Sequence, residues 1–133
     1  MLKTILDFFT GHKETDWSQE DKEACVKLLV LIMYIDDKLS DEEDQMIQRQ
    51  IGLFDWKGVH HEDYVLHEAI REIRDLDKDS QDVEDYVFKV AAKINRDEVK
   101  EKIITTCTHL SEADGEIAPQ EIKVIQYIKK ALA

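Results

Sequence analysis

Residues 28–35 read LLVLIMYI, a run of eight consecutive apolar residues. Such a run surrounds the whole circumference of a helix, so it predicts a central, largely buried helix. A strand competes for so short a run, but the charged flank EDKEACVK at 20–27 and the lack of alternation favour a helix. Ser18 is a good N-cap, and acidic residues follow it in the first turn, where the helix dipole favours them. The predicted helix runs from this cap to about Ile35.

Six further segments have apolar residues at intervals of three and four, the period of an amphipathic helix. They are predicted at about 2–10, 40–54, 66–76, 80–94, 95–110 and 119–132. Expected N-terminal caps are Ser80, the pair Ser40 and Glu43, and the pair Asn95 and Glu98. The last helix is expected to bury Ile122, Ile125, Ile128 and Leu132.

Glycine and proline are scarce, with four and one in 133 residues, so there is little room for hairpins or linkers. The sequence therefore predicts an all-α fold, a compact bundle of about seven helices in a single domain over 1–133.

The charge balance restricts the partners. The formal net charge is −12, which repels a phosphate backbone and an anionic membrane surface. We therefore expect cations and basic protein surfaces as partners, and neither nucleic acid nor direct membrane insertion. The longest apolar run is far shorter than the roughly twenty residues that span a bilayer, and no signal peptide is apparent, so a cytoplasmic location is expected. Cys25 and Cys107 lie in apolar stretches and are expected to be buried free thiols.

A repeat emerges when the chain is shifted by 78 positions. Asp36 then falls on Asp114 and Glu43 on Glu121, and the apolar residues of both flanking helices also align. Each copy, at about 20–54 and 98–132, reads as a buried helix, a short acidic turn and an amphipathic helix. Two helix–acidic turn–helix units suggest a pseudo-symmetric bundle.

Both copies place an aspartate, Asp36 or Asp114, at the carboxyl end of a helix. The dipole there repels a carboxylate by about 0.3–1 kcal/mol, so some interaction must compensate. One compensation is capping, in which the Asp, together with Glu43 or Glu121, accepts hydrogen bonds from backbone N–H groups. The other is a cation held by the Asp and Glu of each corner. Because neither turn contains His or Cys, oxygen ligation points to Ca²⁺ or Mg²⁺, with Mn²⁺ a further option.

The stretch ADGEIAPQE at 113–121, between a buried and an amphipathic helix, resembles the TerB-like family of tellurite-resistance proteins. Similar turns occur in the N-terminal domains of membrane-anchored DnaJ-like co-chaperones. The resemblance implies an all-α bundle without enzymatic activity, a stress-response setting, and protein partners that include membrane protein complexes. It also implies that Asp36, Glu43, Asp114 and Glu121 are metal ligands. The first copy departs from the family pattern at Asp37, where glycine is favoured.

Other constellations indicate less. His60, Asp63 and His67 fall on one face if their helix begins early, either as a zinc site or as a solvated surface. No catalytic motif or phosphate-cradling glycine loop is present, and Cys25 lies in an apolar helix that disfavours a thiolate. The first hypothesis is therefore a non-enzymatic binding module with a divalent cation at its corners. The alternative is a purely structural interaction domain whose acidic turns are self-capped and hold no metal.

Overall fold

The computed structural model describes residues 18–35, 41, 45, 62–77, 80–112 and 119–133. Within these ranges the chain is helical and contains no strand. The helices are α1 (Gln19–Tyr34), α2 (Glu62–Arg74), α3 (Asp82–Ala91), α4 (Asp97–Glu112) and α5 (Pro119–Leu132). The all-α prediction is confirmed. The count of about seven and the repeat stay predictions, because the segment at 2–10, most of that at 40–54, and both acidic turns lie outside the described residues.

The central helix begins where the sequence predicts. The Ser18 hydroxyl accepts the N–H of Asp21 at 3.1 Å, and the Asp21 carboxylate accepts the N–H of Ser18 at 3.2 Å. This reciprocal capping box satisfies two backbone donors that a helix start otherwise leaves unpaired. At the other end, the N–H of Ile35 donates to the carbonyl of Leu31.

Burial around α1 identifies it as the core of the bundle. From Ala24 to Met33 every residue is buried, as the apolar run predicts. The helix packs against α2, α3 and α5. α5 in turn packs against α3 and α4. The apolar faces predicted for the segments at 80–94 and 95–110 are buried at Val83, Val87, Val90, Ala91, Ile94, Val99, Ile103 and Cys107.

Two predicted caps differ from the structure by about one residue. α3 has Gln81 at its N-cap position, and Ser80 accepts the N–H of Asp82 at 3.1 Å from one position further out. α4 begins at Asp97, and the N–H groups of its first turn donate to the carbonyl of Arg96. The predicted pair of Asn95 and Glu98 is therefore wrong by one residue.

Candidate functional site

Of the four carboxylates predicted as ligands, only one lies within the residues that the structure describes. Asp36, Glu43 and Asp114 lie outside the described residues, so their mutual geometry stays a prediction. Glu121 lies inside, as the third residue of α5, and its exposed fraction is 2%. The second corner can therefore be examined from the helix that follows it.

Glu121 occupies a place on the core-facing side of α5. The buried residues of this helix are Glu121, Val124, Ile125, Ile128 and Leu132, at the three- and four-residue spacing of a single stripe. Ile122, which the sequence predicted to be buried, is 44% exposed, so that prediction is wrong. Helix geometry explains the difference. Positions 121 and 122 are about 100° apart around an α-helix, so the stripe that contains Val124, Ile125 and Ile128 takes in only one of them.

The first turn of a helix is a favourable place for a carboxylate. Its unpaired N–H groups and the positive end of the helix dipole stabilise negative charge. Pro119 occupies the first position of α5, where its missing N–H costs nothing. The structure therefore combines a burial that is costly for a carboxylate with a helix terminus that partly offsets it.

The described flanks of the two acidic corners meet at one cleft. Ile35, which immediately precedes the first corner, and Pro119, which immediately follows the second, both line an open cleft of about 530 Å³. The start of α3 forms a further wall, through Ser80, Gln81 and Val83. A residue adjacent in sequence to each corner therefore lines the same cleft.

A second cluster of polar side chains lies inside the bundle, and sequence reasoning missed it. The ammonium of Lys27 on α1 donates to Glu68 Oε1 and to Glu72 Oε2 of α2, at 3.2 Å each. The hydroxyl of Tyr86 on α3 donates to Glu72 Oε1 at 3.1 Å. Lys27 is 7% exposed, and the network links three helices. The available signal was the single charge in the stretch 24–33, together with the four-residue spacing of the two glutamates.

The electrostatics of this cluster keep Lys27 protonated and Tyr86 neutral. Burial alone lowers the pKa of Lys27, but the hydrogen bonds that it donates to Glu68 and Glu72, together with their negative charge, outweigh burial and raise that pKa above its ordinary value. Burial, and then the charge of Glu72, raise the pKa of Tyr86 well above its usual range. Lys27 therefore stays charged and Tyr86 neutral at physiological pH, so neither group is prepared to act as a base or a nucleophile.

Both cysteines are buried free thiols, as the sequence predicted. Burial, followed by the negative charge of Asp21, raises the pKa of Cys25 well above its ordinary value. Burial raises the pKa of Cys107 to about 12, with a nearby lysine opposing it. A thiolate at either position is disfavoured, which is the opposite of what a catalytic cysteine requires.

The remaining candidates contribute little within the described ranges. His67 is exposed on α2, whereas His60 and the side chain of Asp63 lie outside the described residues, so this trio stays untested as a site. No group of three or more His, Cys, Asp or Glu side chains is placed to hold a metal ion in the part of the chain that the structure describes. In that same part, no helix has both the length and the apolar character needed to cross a bilayer.

These features define a helical bundle in which a buried glutamate opens a helix directly after an acidic corner. The family model described as tellurite resistance protein TerB matches residues 57–133, more than half of the chain. The chain therefore belongs to the TerB family. The matched range contains the second corner and helices α2 to α5, but neither α1 nor the first corner. Comparisons with curated proteins and with solved structures gave no match, and the expected relationship to DnaJ-like co-chaperones stays a prediction.

Proposed function

We propose that this TerB-family chain is a non-catalytic binding module that holds a divalent cation at its acidic corners. The proposal places it in a cytoplasmic stress or tellurite-resistance assembly, with protein partners that include membrane protein complexes. The observation that carries the proposal is the position of Glu121, a carboxylate on the buried stripe of α5 in the turn next to the second corner.

The chemistry of the second corner fits a hard cation. Asp114 and Glu116 lie within seven residues of Glu121, and the segment between them offers carboxylate and carbonyl oxygens but no nitrogen or sulfur ligand from His or Cys. Such donors suit Ca²⁺, Mg²⁺ or Mn²⁺. A bound cation would neutralise the charge that the corner concentrates. At the first corner, Asp36 and Glu43 would bind a cation in the same way.

A structural interaction domain with self-capped turns is the second candidate, and one observation favours it. At the start of α1, Asp21 is the third residue of its helix and reaches back to accept the N–H of the N-cap residue. Glu121 is the third residue of α5 and could do the same. In that case the second corner would need no ion. Both candidates are compatible with the predicted repeat and with the predicted count of about seven helices.

The absence of catalysis is supported by the state of the reactive groups in the described core. The cysteine thiols are buried, with pKa values raised by burial, and Lys27, which is paired with two glutamates, stays protonated. None of these groups has the protonation state that nucleophilic or general-base chemistry needs. This supports the non-catalytic part of the proposal.

Calorimetric titration with Ca²⁺, Mg²⁺ and Mn²⁺ tests the cation. We expect saturable heat from the wild type and its loss in Glu121→Gln, which keeps the side-chain shape and removes the charge. Glu98→Gln is the matched control, because Glu98 lies in the first turn of α4 but its side chain is 55% exposed. The double variant Asp36→Asn/Asp114→Asn extends the test to both corners.

Three outcomes separate the two candidates. If no ion gives saturable heat with the wild type, the cation is removed from the proposal. Binding that survives in Glu121→Gln and in the double variant would place the ion elsewhere. If Glu121→Gln lowers stability equally with and without chelator, self-capping is the better account.

A further inference from the structure

Helix α2 separates its apolar and basic residues between two faces. The helix packs against α1, and its buried residues are Val65, Leu66, Ala69 and Ile73. The exposed residues His67, Arg71 and Arg74 follow one another at intervals of four and three, so they share one face of the helix. At 100° per residue, that face lies on the side opposite to the buried residues. We call these three residues the outer face of α2.

The acidic residues of the same turns point towards the core. Glu68 precedes Arg71 by three positions, a spacing at which a glutamate and an arginine can pair on a helix. Instead, the ammonium of Lys27 lies 3.2 Å from Glu68 Oε1 and 3.2 Å from Glu72 Oε2. The internal network therefore engages the carboxylate that could otherwise neutralise Arg71.

Both arginines of the outer face are exposed and available to a partner. Within the described part of the chain, neither Arg71 nor Arg74 takes part in an ion pair, whereas Lys27, Arg96 and Lys130 do. The last turn of a helix suits any cation, because the helix dipole is negative there. The chain has only four arginines beside fourteen lysines, yet two of the four lie on this one turn. Arginine differs from lysine in its planar fork of donors, which matches the two oxygens of a carboxylate.

We propose that the outer face of α2 docks an acidic segment of a protein partner. Arg71 and Arg74 would each bind a carboxylate of that segment, and His67 would supply a further hydrogen bond. The net charge of −12 does not prevent this, since salt screens exposed charges beyond about 8 Å at physiological ionic strength. It does disfavour a nucleic acid, because a long polyanion would extend past α2 to acidic parts of the chain. The inference rests on the proposed function only in taking the chain to be a binding module, and it does not need the cation.

An NMR titration of the full chain in the presence of chelator tests the proposal. Two of the probes are acetylated, amidated peptides of one alanine–glycine background, with either two glutamates or two glutamines placed four residues apart. The third probe is a short DNA duplex. We expect the glutamate peptide to shift the amide signals of His67, Arg71 and Arg74 saturably. The glutamine peptide should leave them in place, since it keeps the shape but lacks the charge. The duplex should bind more weakly than the glutamate peptide, because the net charge of the chain repels it.

Double variants locate the binding without disturbing the core. Arg71→Gln/Arg74→Gln should weaken the glutamate peptide about tenfold, from about threefold for each exposed ion pair. Lys89→Gln/Lys93→Gln is the matched control, because it removes two exposed charges one turn apart at the end of α3. This control should change the affinity by less than about twofold. Arg71→Lys/Arg74→Lys keeps both charges but loses the planar fork, so it should weaken binding about threefold.

Each result supports or overturns the proposal. It is overturned if the signals of the outer face do not move at millimolar glutamate peptide, or if the glutamine peptide binds as tightly. An equal loss in the arginine and lysine double variants would indicate general electrostatic attraction and no docking site. Tighter binding of the duplex on the same signals would assign the face to nucleic acid instead. Because chelator is present throughout, a failure of the cation proposal in calorimetry would leave this result unchanged.

Discussion

Lys27 and Glu121 are both charged side chains in the core, but the fold places them by different means. Lys27 lies in the middle of α1 and is neutralised by two glutamates of α2, one of which also accepts a hydrogen bond from α3. Glu121 lies in the first turn of its helix, beside an acidic corner and an open cleft. The first arrangement pairs its charges within the bundle and fixes helix packing. The second places a buried carboxylate in the first turn of a helix, directly after the acidic residues of the second corner.

The largest expected effect concerns the stripe on which Glu121 lies. Ile125→Ala should lower the free energy of unfolding by about 2–5 kcal/mol, because Ile125 is buried and its loss leaves a cavity. Ile122→Ala should change it by less than about 0.5 kcal/mol, because Ile122 is exposed. Urea denaturation of the two variants checks the order. Equal costs at both positions would mean that Glu121 is not on the core-facing side of α5.

The next effect tests the internal network. Lys27→Met removes the cation that Glu68 and Glu72 share and should cost about 2 kcal/mol. This is less than for a fully buried pair, since the two glutamates are 25% and 32% exposed. Lys93→Met, at an exposed lysine just after α3, is the control and should cost less than about 0.5 kcal/mol. Similar values for both variants would show that the network contributes no stability beyond that of surface charges.

A smaller effect is expected at the edge of the same network. Tyr86→Phe keeps the ring that packs in the core and removes only the hydroxyl that donates to Glu72. The loss should be about 1 kcal/mol, the usual contribution of one hydrogen bond. In a double-mutant cycle with Lys27→Met the two effects should couple, because both groups act on Glu72. Strict additivity would argue that they act independently.

The smallest effect is a dependence on pH above the neutral range. The pKa of Lys27 is raised in the folded chain, so its contribution is fully present below the unfolded pKa of about 10.4 and is lost as pH rises through the folded value. The wild type should therefore lose more stability than Lys27→Met between pH 9 and pH 11, values chosen to lie on either side of the unfolded pKa. Urea denaturation at several values of pH compares the two. A constant difference between them across this window would contradict the raised pKa.

Much of the fold follows from periodicity, and the errors have local causes. The run LLVLIMYI and the Ser18 cap predict α1 correctly because burial all round and capping chemistry are both written in consecutive residues. The Asn95 and Glu98 pair is one residue out because the helix begins after Arg96, a residue type that capping preferences do not select. The buried face of α5 was predicted wrongly at one position. Hydrophobicity selects Ile122, but the structure buries Glu121 in its place and leaves Ile122 exposed.

The candidate site was less predictable for a different reason. Glu121 was identified from its place in an acidic turn, but its burial depends on tertiary packing, which no local pattern reports. The Lys27 network joins residues more than forty positions apart, and only the solitary charge in an apolar helix hinted at it. The Ile35–Pro119 cleft likewise brings together residues that are distant in sequence, so the sequence could suggest two similar corners but not a shared depression beside them.

The most direct test of the contrast is thermal unfolding of the wild type, Glu121→Gln and Lys27→Met, each with Ca²⁺ and with chelator. An ion that binds only the folded chain raises its melting temperature by mass action. We expect Lys27→Met to melt lower than the wild type but to keep the full shift with Ca²⁺, and Glu121→Gln to lose that shift. A shift that persists in Glu121→Gln, or that disappears in Lys27→Met, would contradict the division between an internally paired charge and a ligand-binding one.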